Sequence, residues 1–282
     1  MKKVLAVAVI IVAVIIVCGI SFTLFKFFWS RSHEPPKLTE EQQEAEKRKV
    51  RKENLIEIIR EIVKKDTPAT TLSVGIYDFN NDEYFGYNDQ VAQHAAGVSQ
   101  LLTATYVFNL ADKGTIGLKD KMGAYDIETQ LQFLVNQSST DSLDYLFERF
   151  SATDQNTFAK KIGMTATDLS LGKNLMSAKD AVTLMKKIEK ENLLTESSKT
   201  KLYSYMQKTS IERFFSPILN QANLTYYHKA GSWEGESHDV AYVTDAKNPF
   251  ILAVFTTSRS GTVSPTQMKE IAIVVLEYFT EI

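Results

Sequence analysis

Cysteine is almost absent: Cys18 is the only one in 282 residues. No intrachain disulfide can form, so stability has to come from a packed core. Also missing is any excess of basic charge. The 32 basic residues face 34 acidic ones, and setting aside Lys2, Lys3, Lys26 and Arg31 leaves 28 against 34, a balance of −6. No single-sign field marks a nucleic-acid surface, so no nucleic-acid partner is expected. There are no internal repeats and no low-complexity tract beyond one charged segment. Only four histidines occur, His33, His94, His228 and His238. A His228–His238 pair lacks further ligands with a supporting pattern, so no metal site and no cofactor are expected.

What is present begins with "VLAVAVIIVAVIIVCGISFTLF", residues 4–25, a run without a charge. As a helix it would span about 33 Å, matching the hydrocarbon thickness of a bilayer. The alternative is a cleaved signal peptide. The run is longer than the usual apolar core of one, and the bulky, basic "FKFFWSRS" that follows offers no small-residue cleavage site. A retained membrane anchor is therefore expected, with Trp29 and its Phe neighbours in the interfacial belt. Lys2 and Lys3 are balanced by Lys26 and Arg31, so charge does not set its orientation. Val17 is too large for the residue that usually precedes a lipidated cysteine, and Cys18 reads as membrane-embedded.

The remaining chain divides by pattern. Residues 26–53 form a charged juxtamembrane stalk with Pro35 and Pro36 near its start. Thr39 and Gln42 resemble a capping box, and acids precede the bases Lys47 to Lys52, as the helix dipole favours. Leu55, Ile58, Ile59 and Ile62 then share one helical face. "TLSVGIYDFNNDEYFGYN" alternates across a hairpin whose Asp78, Asp82 and Glu83 read as turn and edge residues. A helix is predicted from Gln100 to Lys113, ending at Gly114. Residues 115–212 read as mostly helical, followed by strands in "LTYYHKAGSW", "HDVAYVTD" and "PFILAVFTTS" and a closing helix. That order predicts an antiparallel sheet with helices on both faces and a separate helical lobe, with a ligand cleft between lobes.

Three segments carry the chemistry. "HAAGVSQ" (94–100) opens the first long apolar helix, "LVNQSSTDSLDYLFERF" (134–150) follows, and "YYHKAGSWEGESHDVAYV" (226–243) forms the returning strands. With "IGMTATDLSL" between the last two, residues 54–282 resemble the class A β-lactamases among the penicillin-recognising serine hydrolases. That family uses the motifs Ser-x-x-Lys, Ser-Asp-Asn and Lys-Thr-Gly. The resemblance implies an α/β (α+β), β-lactamase-like fold for residues 54–282, after a short N-terminus (1–3), a transmembrane helix (4–25) and the stalk (26–53).

The resemblance also shows what is missing. Where the family has its nucleophile and lysine, this chain has Gly97 and Gln100. Glycine has no nucleophile, and glutamine cannot take a proton at physiological pH. Ser99 lies about 200° round the helix from position 97. The strings Ser170 to Lys173 and Ser198 to Lys201 match Ser-x-x-Lys by spacing but do not open the helix after the hairpin. No glutamate lies between Ser151 and Ser177 to activate a deacylating water.

The second motif reads Ser138-Ser139-Thr140, for which a helix cap is the plain structural alternative. The third reads Lys229-Ala230-Gly231, followed by Ser232. Ser138 keeps a proton-relay hydroxyl, Lys229 a charge for a carboxylate, and the N–H groups of Gly97 and Ser232 an oxyanion pocket. Trp233 is expected to wall the cleft or plug it.

The resemblance places the domain outside the cytoplasmic membrane. The leading expectation is a catalytically inactive envelope protein whose cleft, formed by Gly97, Gln100, Ser138, Thr140, Lys229, Ala230, Gly231 and Ser232, binds a peptidoglycan peptide, a β-lactam or a partner protein. Two alternatives stand beside it. One is a serine hydrolase with a displaced nucleophile, Ser138 or Ser99; the other is a structural docking domain of a wall-synthesis or division complex.

Overall fold

A computed structural model describes residues 38–65, 70–244, 247–258 and 265–280, together with Ser21, Thr23 and Lys26. The expected span 4–25 lies outside the described residues except for Ser21 and Thr23, which are helical. Among the described residues no helix is long and apolar enough to cross a membrane. The chain divides after Lys49 into two units, of which the second, Val50–Ile282, holds the fold.

Helix α1 (Glu40–Lys64) begins with the expected capping box. Gln42 N–H donates to Thr39 Oγ1 at 3.2 Å, and Thr39 N–H donates to Gln42 Oε1 at 2.9 Å. Two orphan amides at the helix start are thereby satisfied. Further along, Leu55, Ile59 and Ile62 turn one face into the core.

The sheet has five strands: β1 (Thr70–Asp78), β2 (Glu83–Tyr87), and, late in the chain, β7 (Tyr226–Trp233), β8 (Glu236–Val243) and β9 (Phe250–Ser258). Their spatial order is β2-β1-β9-β8-β7, and every pairing is antiparallel. β9 joins the early hairpin to the late meander, with Val74 opposite Val254 on one side and Val240 opposite Ala253 on the other. Its near-continuous apolar run follows from burial on both faces. Phe250, Leu252 and Val254 enter a core with α1 and α9 (Pro265–Thr280). Ile251, Ala253 and Phe255 enter a second core beneath the helical lobe.

That lobe is built around α2 (Gln100–Asp112), buried nearly all round. It ends, as expected, just before Gly114, whose φ of +71° suits a helix stop. The middle of the chain is helical: α3 (Ile127–Gln137), α4 (Thr140–Arg149), α5 (Ala152–Lys161), α6 (Ala178–Lys190) and α7 (Glu196–Tyr205). α6 lies across β1 and β9, and α8 (Ser216–Gln221) precedes β7. Periodicity missed two small ladders, β3 (Gln93–His94) with β6 (Leu175–Met176), and β4 (Lys121–Met122) with β5 (Tyr125–Asp126). Two-residue strands are too short to show an alternation.

The hairpin acids play the expected local parts. Asp78 is buried and accepts from the N–H groups of Asn80 and Asn81 in the turn. Asp82 pairs with Lys190 at 2.9 Å, and Glu83 with Lys52 at 2.7 Å. The two incidental Ser-x-x-Lys strings are structural. Ser170 N–H and Lys173 Nζ both donate to Asp168. Ser198 Oγ donates to Asp112 while Lys201 pairs with Glu128.

Candidate functional site

The site is organised by a 3₁₀ turn, Ala96–Ser99, that leads into α2. Ala96 sits at φ +46°, a left-handed conformation that costs a residue with a side chain about 1–3 kcal/mol. Three bonds hold it there. Asn174 Nδ2 donates to the Ala96 carbonyl at 3.1 Å, Ala95 N–H donates to Asn174 O at 2.7 Å, and His238 Nε2 donates to the His94 carbonyl at 2.7 Å. His238 accepts at Nδ1 from Thr256 N–H at 3.0 Å, which fixes its tautomer. Burial pulls its pKa down to about 4, so the ring is neutral.

β7 runs directly over this turn. Successive side chains of a strand alternate between faces, so Lys229 and Gly231 point one way and Ala230 the other. A Cβ on Gly231 would lie 2.5 Å from Gly97 N and 2.9 Å from Val98 N. Only glycine permits this approach of strand to turn. Ala230 puts its methyl into the opposite core and reaches the site only through its carbonyl, 3.4 Å from where a Cβ on Gly97 would sit. That same Cβ position is 3.5 Å from Gln100 Oε1. Gln100 is 4% exposed, and its Oε1 is buried with no hydrogen-bond partner among the described residues.

The second and third motifs meet. Ser138 ends α3 at φ +56°, and Ser139 caps α4 by accepting from Ser142 N–H at 3.2 Å. The helix-cap reading therefore describes Ser139, while Ser138 is freed to accept from Lys229 Nζ at 2.5 Å. Lys229 is 0% exposed, and burial drops its pKa to about 7 against the pull of Asp239. Thr140 begins α4 and is exposed. Ser232 accepts from Arg213 at 2.8 Å near the exposed end of β7.

Behind Lys229, His228 is buried between Asp239, 3.0 Å from Nδ1, and Glu212, 3.0 Å from Nε2. Burial alone would lower its pKa, but the two carboxylates outweigh it and raise it to about 9. Burial likewise opposes the charge on Glu212, yet His228 and its hydrogen-bond donors hold it at about 2. The histidine is a structural cation; among the described residues no group of side chains could hold a metal ion.

Ser99 is buried and donates to the Ala96 carbonyl at 3.2 Å. It also borders a cavity of about 640 Å³, with Trp233, His94 and the loop 169–174. None of Gly97, Gln100, Ser138 or Lys229 lines that cavity. Trp233 thus walls a neighbouring space, its ring 4.6 Å from that of His94. Arg213, Asn174 and the role of His238 escaped sequence reading because each acts through a contact more than 15 residues away.

A model of the β-lactamase enzyme family matches residues 54–279. This chain belongs to that family. No curated protein matches it. Among solved structures, it is similar to a variant of PBP-A in an acyl-enzyme complex with penicillin G, at 17% identity and a TM-score of 0.75, covering 81% of this chain and 97% of that one. An ancestral class A β-lactamase gives 16% identity and a TM-score of 0.72 over 80% and 100% of the two chains. A β-lactamase from Desulfarculus baarsii DSM 2075 gives 14% and 0.73 over 80% and 97%. At such identities the likeness establishes the β-lactamase fold.

Two measurements check this geometry. Gly231→Ala forces β7 off the turn and should cost about 1–3 kcal/mol, lowering the melting temperature by about 2–4 °C per kcal/mol. An unchanged melting temperature would contradict the close approach. The second concerns Lys229, whose folded pKa of about 7 lies below its unfolded value of about 10.4. Its burial cost is full below pH 7 and fades as pH rises toward 10. The stability of Lys229→Met relative to the parent should therefore fall across that window by on the order of 1 kcal/mol per pH unit. Parallel pH curves would show that Lys229 titrates normally.

Proposed function

We propose that this β-lactamase-family domain is a pseudoenzyme that binds its ligand without covalent chemistry. It acts at the cell envelope, held by residues 4–25 in the cell membrane with the C-terminal domain extracytoplasmic. One observation carries the reading: the buried Gln100 Oε1, unpartnered among the described residues, faces Gly97, which the sequence resemblance sets at the family's nucleophile position. An unmet buried acceptor costs about 1–3 kcal/mol, so a ligand N–H placed there is favoured, while Gly97 itself offers no side-chain atom to attack. Removing such a nucleophile costs a hydrolase about 10⁶ in turnover. A peptidoglycan stem peptide supplies amide N–H groups of this kind, and a β-lactam mimics it.

A second reading has an observation of its own. Lys229, with its pKa near 7, donates to Ser138 Oγ. A neutral lysine beside a serine hydroxyl can take its proton and activate it as a displaced nucleophile.

Intact-mass measurement of the full chain after incubation with penicillin G separates the two. No adduct is expected, together with saturable binding of a synthetic stem pentapeptide that weakens about tenfold in Gln100→Leu. An adduct that maps to Ser138 and disappears in Ser138→Ala would instead establish the hydrolase. The location is checked by protease treatment of intact cells, which should digest the domain; a protected domain would place it inside.

A further inference from the structure

We propose that the cavity beside the candidate site is a second, independent binding site, for an uncharged aromatic small molecule carrying a hydrogen-bond acceptor. Its volume of about 640 Å³ falls within the range of small-molecule pockets. The walls combine Leu143 and Phe147 of α4, Ala152 of α5, Leu169 and Leu171 of the following loop, and Trp233 at the end of β7. Two of these are aromatic, and ring-on-ring contact adds stabilisation beyond the area it buries.

The loop that frames the pocket is held in place. It is closed by a two-way backbone exchange between Asp168 and Leu175, at 3.0 and 2.8 Å. Asp168 further accepts from Lys173 and from Ser170 N–H, and Asn156 Oδ1 accepts from Leu169 N–H at 2.8 Å. This fixed loop holds Leu171 fully exposed, at 102%, and Trp233 is 53% exposed. Both line the cavity, so apolar surface continues from its wall to its rim.

The polar wall selects the ligand's chemistry. Lys173 is committed to Asp168 at 2.7 Å, leaving Asp144 as the carboxylate on the wall, which disfavours an anion. His94 supplies a donor. Asn174 Nδ2 is fixed as an NH₂ group by its bond to the Ala96 carbonyl, and it stands 3.4 Å from His94 Nε2. Nε2 is then the acceptor, which leaves Nδ1 as the donor. Nδ1 is buried without a partner among the described residues, and the half-exposed Trp233 ring lies 4.6 Å from the His94 ring, tilted 42° to it. A ligand that shifts Trp233 and offers a carbonyl oxygen satisfies that donor.

The test uses the full chain in lipid nanodiscs with 5-fluorotryptophan, which places one fluorine at each of the two tryptophans, Trp29 and Trp233. Benzamide is titrated while the two ¹⁹F signals are followed, with benzoate as the anionic comparison. The Trp233 signal should move saturably, with a dissociation constant of about 1 mM or tighter for so small a ligand. The Trp29 signal should not follow it, and benzoate should bind more weakly. Ala152→Trp, which fills the cavity, should abolish the response. Leu171→Ser alters only an exposed side chain, so it should fold normally and weaken binding about threefold or more. The proposal is overturned by a Trp233 signal that does not saturate, by equal movement of both signals, by benzoate matching benzamide, or by Leu171→Ser binding as tightly as the parent. Penicillin reactivity at Ser138 has no bearing on any of these outcomes.

Discussion

The close approach of β7 to the 3₁₀ turn Ala96–Ser99 is the contact on which the rest of the site depends. With no Cβ on Gly231, the edge strand settles onto the amides of Gly97 and Val98. That contact sets where Lys229 emerges two residues earlier, and so its reach to Ser138 across the lobes. The turn is held from its other side by His238 and Asn174, so strain at Ala96 is maintained by neutral hydrogen bonds that do not titrate near neutral pH.

The charged groups around this contact are arranged in two tiers. His228, Asp239 and Glu212 form a buried network in which one cation serves two carboxylates. Burying such charges is tolerable only when every member is paired. Lys229, next along the strand and on the opposite face, has no carboxylate in contact among the described residues and gives up part of its affinity for a proton instead.

The centre of the site is small: glycine stands at position 97 and the Gln100 amide beside it, with its Oε1 unpartnered among the described residues. Trp233 turns toward His94 and the adjoining cavity. The two spaces adjoin at the turn and the end of β7.

Much of this was legible in the sequence, where local chemistry decides. The capping box at Thr39, the helix stop at Gly114, the early hairpin and the both-face burial of "FILAVFTTS" follow from propensity and periodicity over a few residues. The order of the three segments, with Gly97 and Gln100 opening the first, was likewise plain from residue identity. Tertiary structure alone decided whether Ser138 caps a helix or meets Lys229, because the two are 91 positions apart. It also decided that Ala230 faces the core, that Gln100 Oε1 is left unpaired, and that loop 169–174 frames a cavity with Trp233. Each of these depends on which groups from distant segments share a buried space, and on how much water is excluded there.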